Sequence, residues 1–143
     1  MEELIGEFGQ DVSGPSTGPF EALIGYRART SPEHGVYLEL DVEEKHLSHY
    51  GVAHGGVALV LLDTVGGICL FGCRPGISRV ATISLSTNFI AAVRPGRVVA
   101  TAEIERIGGA VAYTTMRLHA GDFEGELLAT GHGAYRLFQA EPA

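Results

Sequence analysis

The sequence predicts an α+β fold in which an antiparallel sheet wraps around one long central helix. Three observations support this prediction. The chain has 143 residues, of which 45% are hydrophobic, enough for one domain with a substantial core. Residues 54–73 are almost continuously apolar without strand alternation, and their length favours a buried helix. Four segments rich in Val, Ile, Thr, Ala and Tyr follow, separated by short turns.

Residues 1–18 differ in character from the rest of the chain. They start with a short amphipathic piece and end in SGPSTGP, which predicts an N-terminal helix or mobile segment ahead of a single domain at 19–139. The acidic MEELIGEFGQ lacks the basic start of a signal peptide. No apolar stretch reaches the roughly 20 residues that a bilayer span needs. We therefore expect a cytoplasmic protein without a membrane partner.

The first half of the domain predicts two strands and the helix. Phe20–Thr30 and Val36–Val42 have strand character and flank the turn cluster SPEHG. The connector EKHLSHYGVA follows, and its His46 and His49 are expected to be solvated. The helix then runs from His54 to about Cys73, where RPG stops it.

The second half predicts an antiparallel meander of four long strands joined by tight turns. The strands are expected at 79–93, 97–107, 110–119 and 126–138. The turns are RPG, GG and AGD.

Charge and cysteine usage narrow the function classes. The net charge is −7, and Lys45 is the only lysine, so a nucleic-acid partner is not expected. Cys69 and Cys73 would share a helix face, where buried reduced thiols are favoured over a metal or redox pair.

The segment HGGVALVLLD at the start of the helix carries the functional signal. A helix that begins at Gly55 and Gly56 presents unpaired N–H groups at its positive end, which suits an oxygen that becomes negative during a reaction. The alternative is that the two glycines only allow tight helix–sheet packing. His54 is expected to position a group or donate a hydrogen bond, with direct proton transfer as its alternative. A metal site that combines His54 with the connector histidines fits no standard spacing.

Asp63 interrupts the apolar run, and two interpretations remain open. A buried carboxylate can be satisfied by a neighbouring backbone N–H or by Thr64, or it can serve as a base or nucleophile. Gly55 lies eight residues before Asp63, about 12 Å along one helix. A catalytic role for both residues therefore predicts a dimer in which antiparallel helices form two symmetric sites.

The motif HGGVALVLLDTVGG resembles the signature of hotdog-fold acyl-CoA thioesterases, in particular the phenylacetic-acid-degradation (PaaI-like) branch. The resemblance covers about residues 20–138 and includes the lead-in HLSHYGVAHGG and the strand TISLSTNFIAAVRPG. It implies a hotdog fold and a homodimer or dimer of dimers (a homotetramer). No metal and no cofactor are expected, since coenzyme A is part of the substrate.

The resemblance also implies residue roles. The Gly55 N–H would polarise the thioester carbonyl, and Asp63 of a partner subunit would attack it or activate water. Thr82 would orient that water, or be an ordinary strand threonine. Gly56 and Asn88 are further substrate-binding candidates.

Two departures affect substrate binding. Ser48 stands where relatives usually carry Asn or Gln. Gly109 stands where they commonly carry Lys or Arg for a phosphate. Arg94, Arg97 and Arg106 are candidate replacements, although solvated arginines are the simpler interpretation for each.

The function predicted from these features is hydrolysis of an acyl-CoA thioester, with an aromatic or medium-chain acyl group, to a free acid and coenzyme A. Two alternatives remain: a non-catalytic acyl-CoA-binding hotdog protein, and a hotdog enoyl-CoA hydratase or dehydratase.

Overall fold

The computed structural model describes residues 18–140, which form a six-stranded antiparallel sheet around one long helix. The α+β prediction is confirmed. The prediction for residues 1–18 lies outside the described residues except for Gly18. The strands are β1 (Arg27–Ser31), β2 (Gly35–Val42), β3 (Ile77–Phe89), β4 (Gly96–Gly108), β5 (Val111–Ala120) and β6 (Leu127–Gln139). The helices are α1 (Pro19–Ile24) and α2 (Gly55–Ile68), with short 3₁₀ turns at Glu44–His46 and Cys69–Gly72.

Helix α2 begins where the sequence predicts and ends slightly earlier. His54 caps its first turn, and after Ile68 the chain tightens into the 3₁₀ turn before the predicted RPG stop. One face of α2 packs on the sheet and forms the core. Its fully buried members include Leu61, Leu62 and Val65 from the helix, which share one apolar cluster with Leu38, Leu40, Val98, Met116 and Leu118 from the strands.

The stretch Gly55–Gly72 is apolar and long enough to resemble a membrane span, with a mean hydropathy of 1.8 over 18 residues. The core helix of a soluble protein has the same composition. Here six residues of α2 are buried within the fold. This packing accounts for the hydropathy of α2 without a membrane.

The prediction of a single strand at Phe20–Thr30 is wrong in its first half, which is helix α1. Pro19 occupies the first helical position, the Glu21 carboxylate accepts the Gly18 N–H at 3.3 Å, and Gly25 ends the helix at φ 92°. Proline at the start and glycine at the end are typical of a short helix. These local signals outweigh the apparent strand character, and only Arg27–Ser31 joins the sheet.

The predicted four-strand meander is also wrong in one respect. The sheet order is β1-β2-β4-β5-β6-β3, so β4, β5 and β6 form a meander while β3 pairs with β6 instead of β4. Residues 90–95 must cross about 14 Å of sheet between β3 and β4, which a tight turn cannot do. Along this link, Val93 O accepts the Ala53 N–H at 2.7 Å, which brings the link to the start of α2.

Strand β3 leaves one side of the molecule open. It pairs only with β6 and is therefore an edge of the sheet. Ile83, Phe89 and Ile90 are largely exposed on or just after this strand, and Leu59 of α2 is 38% exposed. The prediction that α2 is buried all round is therefore wrong on this side. The exposed residues Gly55 and Leu59 and the half-buried Asp63 are spaced by four and form one stripe, which we call the open stripe.

Candidate active site

The first turn of α2 leaves one backbone donor available. His54 is the N-cap, and its Nδ1 accepts the Gly56 N–H at 2.8 Å, while its carbonyl accepts the Val57 N–H at 2.9 Å. Within residues 18–140, the exposed Gly55 N–H has no acceptor. This geometry supports a positioning role for His54, since its Nδ1 is occupied.

Phe89 at the end of β3 lies beside this donor. A Cβ built on Gly55 would stand 3.4 Å from the Phe89 ring, so the glycine keeps the gap between helix and ring open. The gap belongs to a groove of about 330 Å³ that Ala53, His54 and the link residue Ala91 also line. The groove gives a ligand oxygen access to the Gly55 N–H.

Asp63 lies two turns further along α2 and is half-buried. Thr82 Oγ1 donates to Asp63 Oδ1 at 2.7 Å, and Tyr135 OH lies 3.3 Å from the same oxygen and donates to the Asp63 carbonyl at 3.0 Å. Thr82 and Tyr135 are direct partners in the β3–β6 ladder, so both side chains reach the helix from one point of the sheet. The carboxylate is held by these two residues, and among residues 18–140 neither a backbone N–H nor Thr64 satisfies it.

Thr64, the neighbour considered for that bond, lies beside the buried Tyr26. Burial raises the pKa of Tyr26, and Thr64 counteracts part of this rise.

Tyr135 is the site residue that sequence reasoning missed. It is 1% exposed, and its ring fits against two glycines. A Cβ on Gly66 would lie 2.5 Å from the Tyr135 hydroxyl oxygen, and one on Gly133 would overlap the ring. The glycines in TVGG and GHGAY were the available signal, because paired glycines in a helix and a facing strand indicate a close approach.

Gly55 and Asp63 lie on one continuous helix, as predicted, and are therefore about 12 Å apart along its axis. The two candidate catalytic groups of one chain do not meet at one reacting atom.

Three predicted substrate-binding residues have other surroundings. Ser48 closes the turn to Val52, with its Oγ 3.1 Å from the Val52 carbonyl, so the hydroxyl already has a partner. The Gly56 N–H is used by the His54 cap. Asn88 is exposed and alternates with Phe89 along β3, which places it on the face of the sheet away from α2.

The candidate phosphate-binding arginines have different surroundings. Arg94 is exposed and follows Val93, whose carbonyl holds Ala53, so it lies near the start of α2. Arg106 is exposed near the far end of β4. It lies six residues after Ala100, which is about 20 Å along the strand from that residue. Arg97 donates to the Glu39 carboxylate at 3.0 Å and to the Gly121 carbonyl at 2.6 Å, so its side chain stabilises the sheet.

The connector histidines differ from each other. The prediction that His46 is solvated is wrong: it is 5% exposed, its Nδ1 accepts the Glu43 N–H at 2.9 Å, and its Nε2 donates to the Ile24 carbonyl at 2.7 Å. It joins α1 to the connector because both ring nitrogens find backbone partners. His49 is exposed, as predicted. Across residues 18–140 no group of three or more His, Cys, Asp or Glu is placed to hold a metal.

The two cysteines are free thiols and partly buried. Cys69 Sγ donates to the Gly66 carbonyl at 3.3 Å, and burial raises the pKa of this thiol to about 12. A thiol in this state is a poor nucleophile.

The sheet wrapped around one long helix, with a donor glycine at the helix start and an anchored carboxylate two turns later, defines a hotdog-fold protein. Residues 50–124, just over half of the chain, match the family model described as Thioesterase superfamily, and the chain belongs to this superfamily. It is 28% identical over 120 residues to human acyl-coenzyme A thioesterase 13, covering 82% of this chain and 84% of the relative.

Solved structures agree on the fold. The protein superposes on the BH2602 protein of Bacillus halodurans, solved with CoA, with a TM-score of 0.80, 17% identity and coverage of 89% and 83% of the two chains. It superposes on thioesterase HI1161 of Haemophilus influenzae with a TM-score of 0.77, 20% identity and coverage of 86% and 85%. The hotdog fold implied by the sequence motif is thereby confirmed.

Proposed function

We propose that the protein hydrolyses an acyl-CoA thioester to a free acid and coenzyme A. The observation that carries this proposal is the state of Asp63 on the open stripe. One oxygen of its carboxylate is anchored, and within residues 18–140 no donor reaches the other. A carboxylate held in this way is suited to act as a base or as a nucleophile.

The Gly55 N–H supplies the second part of the machinery. It lies at the positive end of α2, beside a groove, and its neighbours' N–H groups are already used. A thioester carbonyl oxygen placed there gains negative charge during attack. A fixed N–H donor stabilises that charge more than it stabilises the ground state.

The complete site requires two copies of the chain. Leu59 lies midway between Gly55 and Asp63 on the open stripe, so a twofold axis near it brings Gly55 of one copy to the partner's Asp63. The unpaired edge of β3 and the exposed Ile83 and Phe89 lie on the same side and supply the surface to bury. A dimer of dimers is the assembly we expect.

The reaction needs only water as co-reactant and no cofactor or metal. In the base route, Asp63 takes a proton from water as the water oxygen bonds to the acyl carbon. The carbon–sulfur bond then breaks, and Asp63 passes the proton to the thiolate, which leaves as free coenzyme A. In the nucleophile route, Asp63 bonds to the acyl carbon and expels the thiolate, and water then cleaves the resulting anhydride. Both routes use the same two groups.

The relatives support the choice of leaving group. One is named an acyl-coenzyme A thioesterase, and a structural neighbour was solved with CoA. An aromatic or medium-chain acyl group, membership of the PaaI-like branch and a cytoplasmic location complete the proposal. Arg94, near the start of α2, is the best placed of the candidate arginines to meet a CoA phosphate.

The test is a thiol-release screen across aryl- and alkyl-CoA esters with three proteins: wild type, Asp63→Asn and Asp41→Asn. Asp41 is an exposed β2 carboxylate and provides the matched control. We expect Asp63→Asn to lower kcat by about 10²-fold or more while the fold is retained, and the control to match wild type.

Two outcomes would contradict the proposal. Binding of acyl-CoA without thiol release from any ester would identify a non-catalytic binder. Hydration of an enoyl-CoA without thiol release would identify a hydratase.

A further inference from the structure

Two donors from the sheet converge on one oxygen of Asp63. Thr82 Oγ1 is 2.7 Å from Oδ1, and Tyr135 OH is 3.3 Å from it. The single proton of the Tyr135 hydroxyl is shared between Oδ1 and the Asp63 carbonyl, which is 3.0 Å away, so one phenol contacts both the side chain and the backbone of the residue. Rotation of the carboxylate would break both side-chain bonds at once. The two oxygens of Asp63 are therefore not equivalent.

The backbone around Tyr135 leaves space for its ring at two glycines. Gly66 on α2 and Gly133 on β6 both lack the Cβ that would collide with the phenol. The ring itself is almost completely buried. A buried ring in a cradle of two glycines has little freedom to move, so its hydroxyl is held at a fixed point beneath Asp63.

The hydroxyl also keeps its proton. Burial raises the pKa of Tyr135, and the charge of Asp63 and the hydrogen bond to it raise it further. The phenol therefore stays protonated at neutral pH and can donate its hydrogen bond.

We propose that Tyr135 is a positioning residue that, together with Thr82, anchors Oδ1 of Asp63 and presents Oδ2 as the reacting oxygen. This inference rests on the proposed function. In the base route, Oδ2 receives the proton of the attacking water and later returns it to the thiolate. In the nucleophile route, Oδ2 forms the bond to the acyl carbon. Thr82 acts on the carboxylate in both routes.

The first experiment compares Tyr135→Phe with Tyr113→Phe. The first substitution removes one hydroxyl and keeps the ring that fills the cradle. The second removes a hydroxyl from Tyr113, a half-exposed tyrosine of β5. Tyr113 pairs with Ala134, the neighbour of Tyr135, so Tyr113 and Tyr135 lie on opposite faces of the sheet. We expect kcat of Tyr135→Phe to fall about tenfold with KM within about twofold of wild type, and no change in the control. An unchanged kcat in Tyr135→Phe would overturn the proposal.

A second readout separates positioning from a merely structural role. Proteins labelled with ¹³C at the aspartate carboxyl carbons are compared by NMR at one fixed pH, and Asp63→Asn assigns the resonance. Loss of the phenol hydrogen bond should change the chemical shift of the Asp63 carboxyl carbon in Tyr135→Phe and leave it in place in Tyr113→Phe. A lower kcat with an unmoved resonance would overturn the proposal, because the phenol would then act on something other than the carboxylate.

The NMR comparison does not depend on turnover, so the two proposals can fail separately. If wild type releases thiol and Asp63→Asn does not, unchanged kcat in Tyr135→Phe removes only the positioning role. If wild type hydrolyses no ester, the proposed function fails, and the chemical shift of the Asp63 carboxyl carbon alone decides whether Tyr135 anchors Asp63.

Discussion

The two sides of helix α2 have opposite properties. On the side of β2, β4 and β5, which we call the scaffold side, apolar residues such as Leu62 are fully buried, and the charged Glu39 on β2 is paired with arginines. On the open stripe, within the part of the chain that the structure describes, the Gly55 N–H has no acceptor and one oxygen of Asp63 has no donor. Groups that satisfy one another stabilise a fold, whereas unsatisfied groups in fixed positions are available to a substrate or to a second copy.

The largest expected effect is on the free energy of unfolding and comes from a core substitution on the scaffold side. Leu62 is fully buried in the core, and Leu62→Ala should lower the free energy of unfolding by about 2–5 kcal/mol. Leu23→Ala is the matched control, because Leu23 is 68% exposed on α1 and its truncation should cost less than about 0.5 kcal/mol.

Denaturant unfolding at fixed protein concentration measures both variants. The kcat per folded molecule of Leu62→Ala should stay close to that of wild type. A large loss of kcat at full folding would contradict the division into two sides.

The next effect comes from the open stripe. Gly55→Pro removes the unpaired N–H, and proline is well tolerated at the first position of a helix. A Cβ at this position would be in ordinary contact with the Phe89 ring, at 3.4 Å. We expect kcat to fall about 10²-fold, with the thermal transition within a few degrees of wild type.

A mixing experiment then tests whether the site is shared. Gly55→Pro and Asp63→Asn should each have about 10²-fold lower activity alone, but dimers with one of each restore one intact site if the site spans two chains. Random mixing should return about a quarter of wild-type activity, since half of the dimers are mixed and each has one working site. No recovery in verified mixed dimers would show that Asp63 of the partner does not complete the site at Gly55.

Local features were predictable from the sequence, and long-range pairings were not. The start of α2 at Gly55 followed from the apolar run, and the last three strands followed from alternation and glycine turns. The placement of β3 beside β6 depends on the whole sheet, and no local pattern encodes it.

The candidate site shows the same division. The prediction that Gly55 and Asp63 lie on one helix was correct, and their catalytic roles stay predictions. Tyr135 lies 72 residues after Asp63 and reaches it only because β6 crosses beneath the helix, so spacing alone does not pair them. Ser48 was considered for substrate, yet a turn bond to Val52 already uses its hydroxyl.

A smaller expected effect concerns the stability that the scaffold side contributes, which depends on pH. Burial alone would raise the pKa of Glu39, but hydrogen bonds and charges from Arg29 and Arg97 lower it below 4.5. A carboxyl with a lower pKa in the folded state stabilises the fold above the unfolded pKa and loses this contribution as the pH falls through the folded value.

Glu39→Gln should therefore destabilise the protein at pH 7, and the difference from wild type should shrink below about pH 4.5. Glu103→Gln, at an exposed β4 position without an ion pair among the described residues, is the control. A difference that stays constant with pH would mean that Glu39 contributes by packing alone.

The smallest expected effect is on the reactivity of the Cys69 thiol, at the end of α2. Its thiol donates to the carbonyl of Gly66, the residue that makes room for Tyr135, and burial raises the pKa of this thiol to about 12. At pH 8 almost none of it is thiolate, so in a Cys73→Ser background the folded protein should react with a thiol reagent only as fast as it unfolds. Full reaction within seconds at pH 8, without denaturant, would show that the end of α2 opens readily. The close contact between Gly66 and Tyr135 would then be too loose to fix the carboxylate of Asp63.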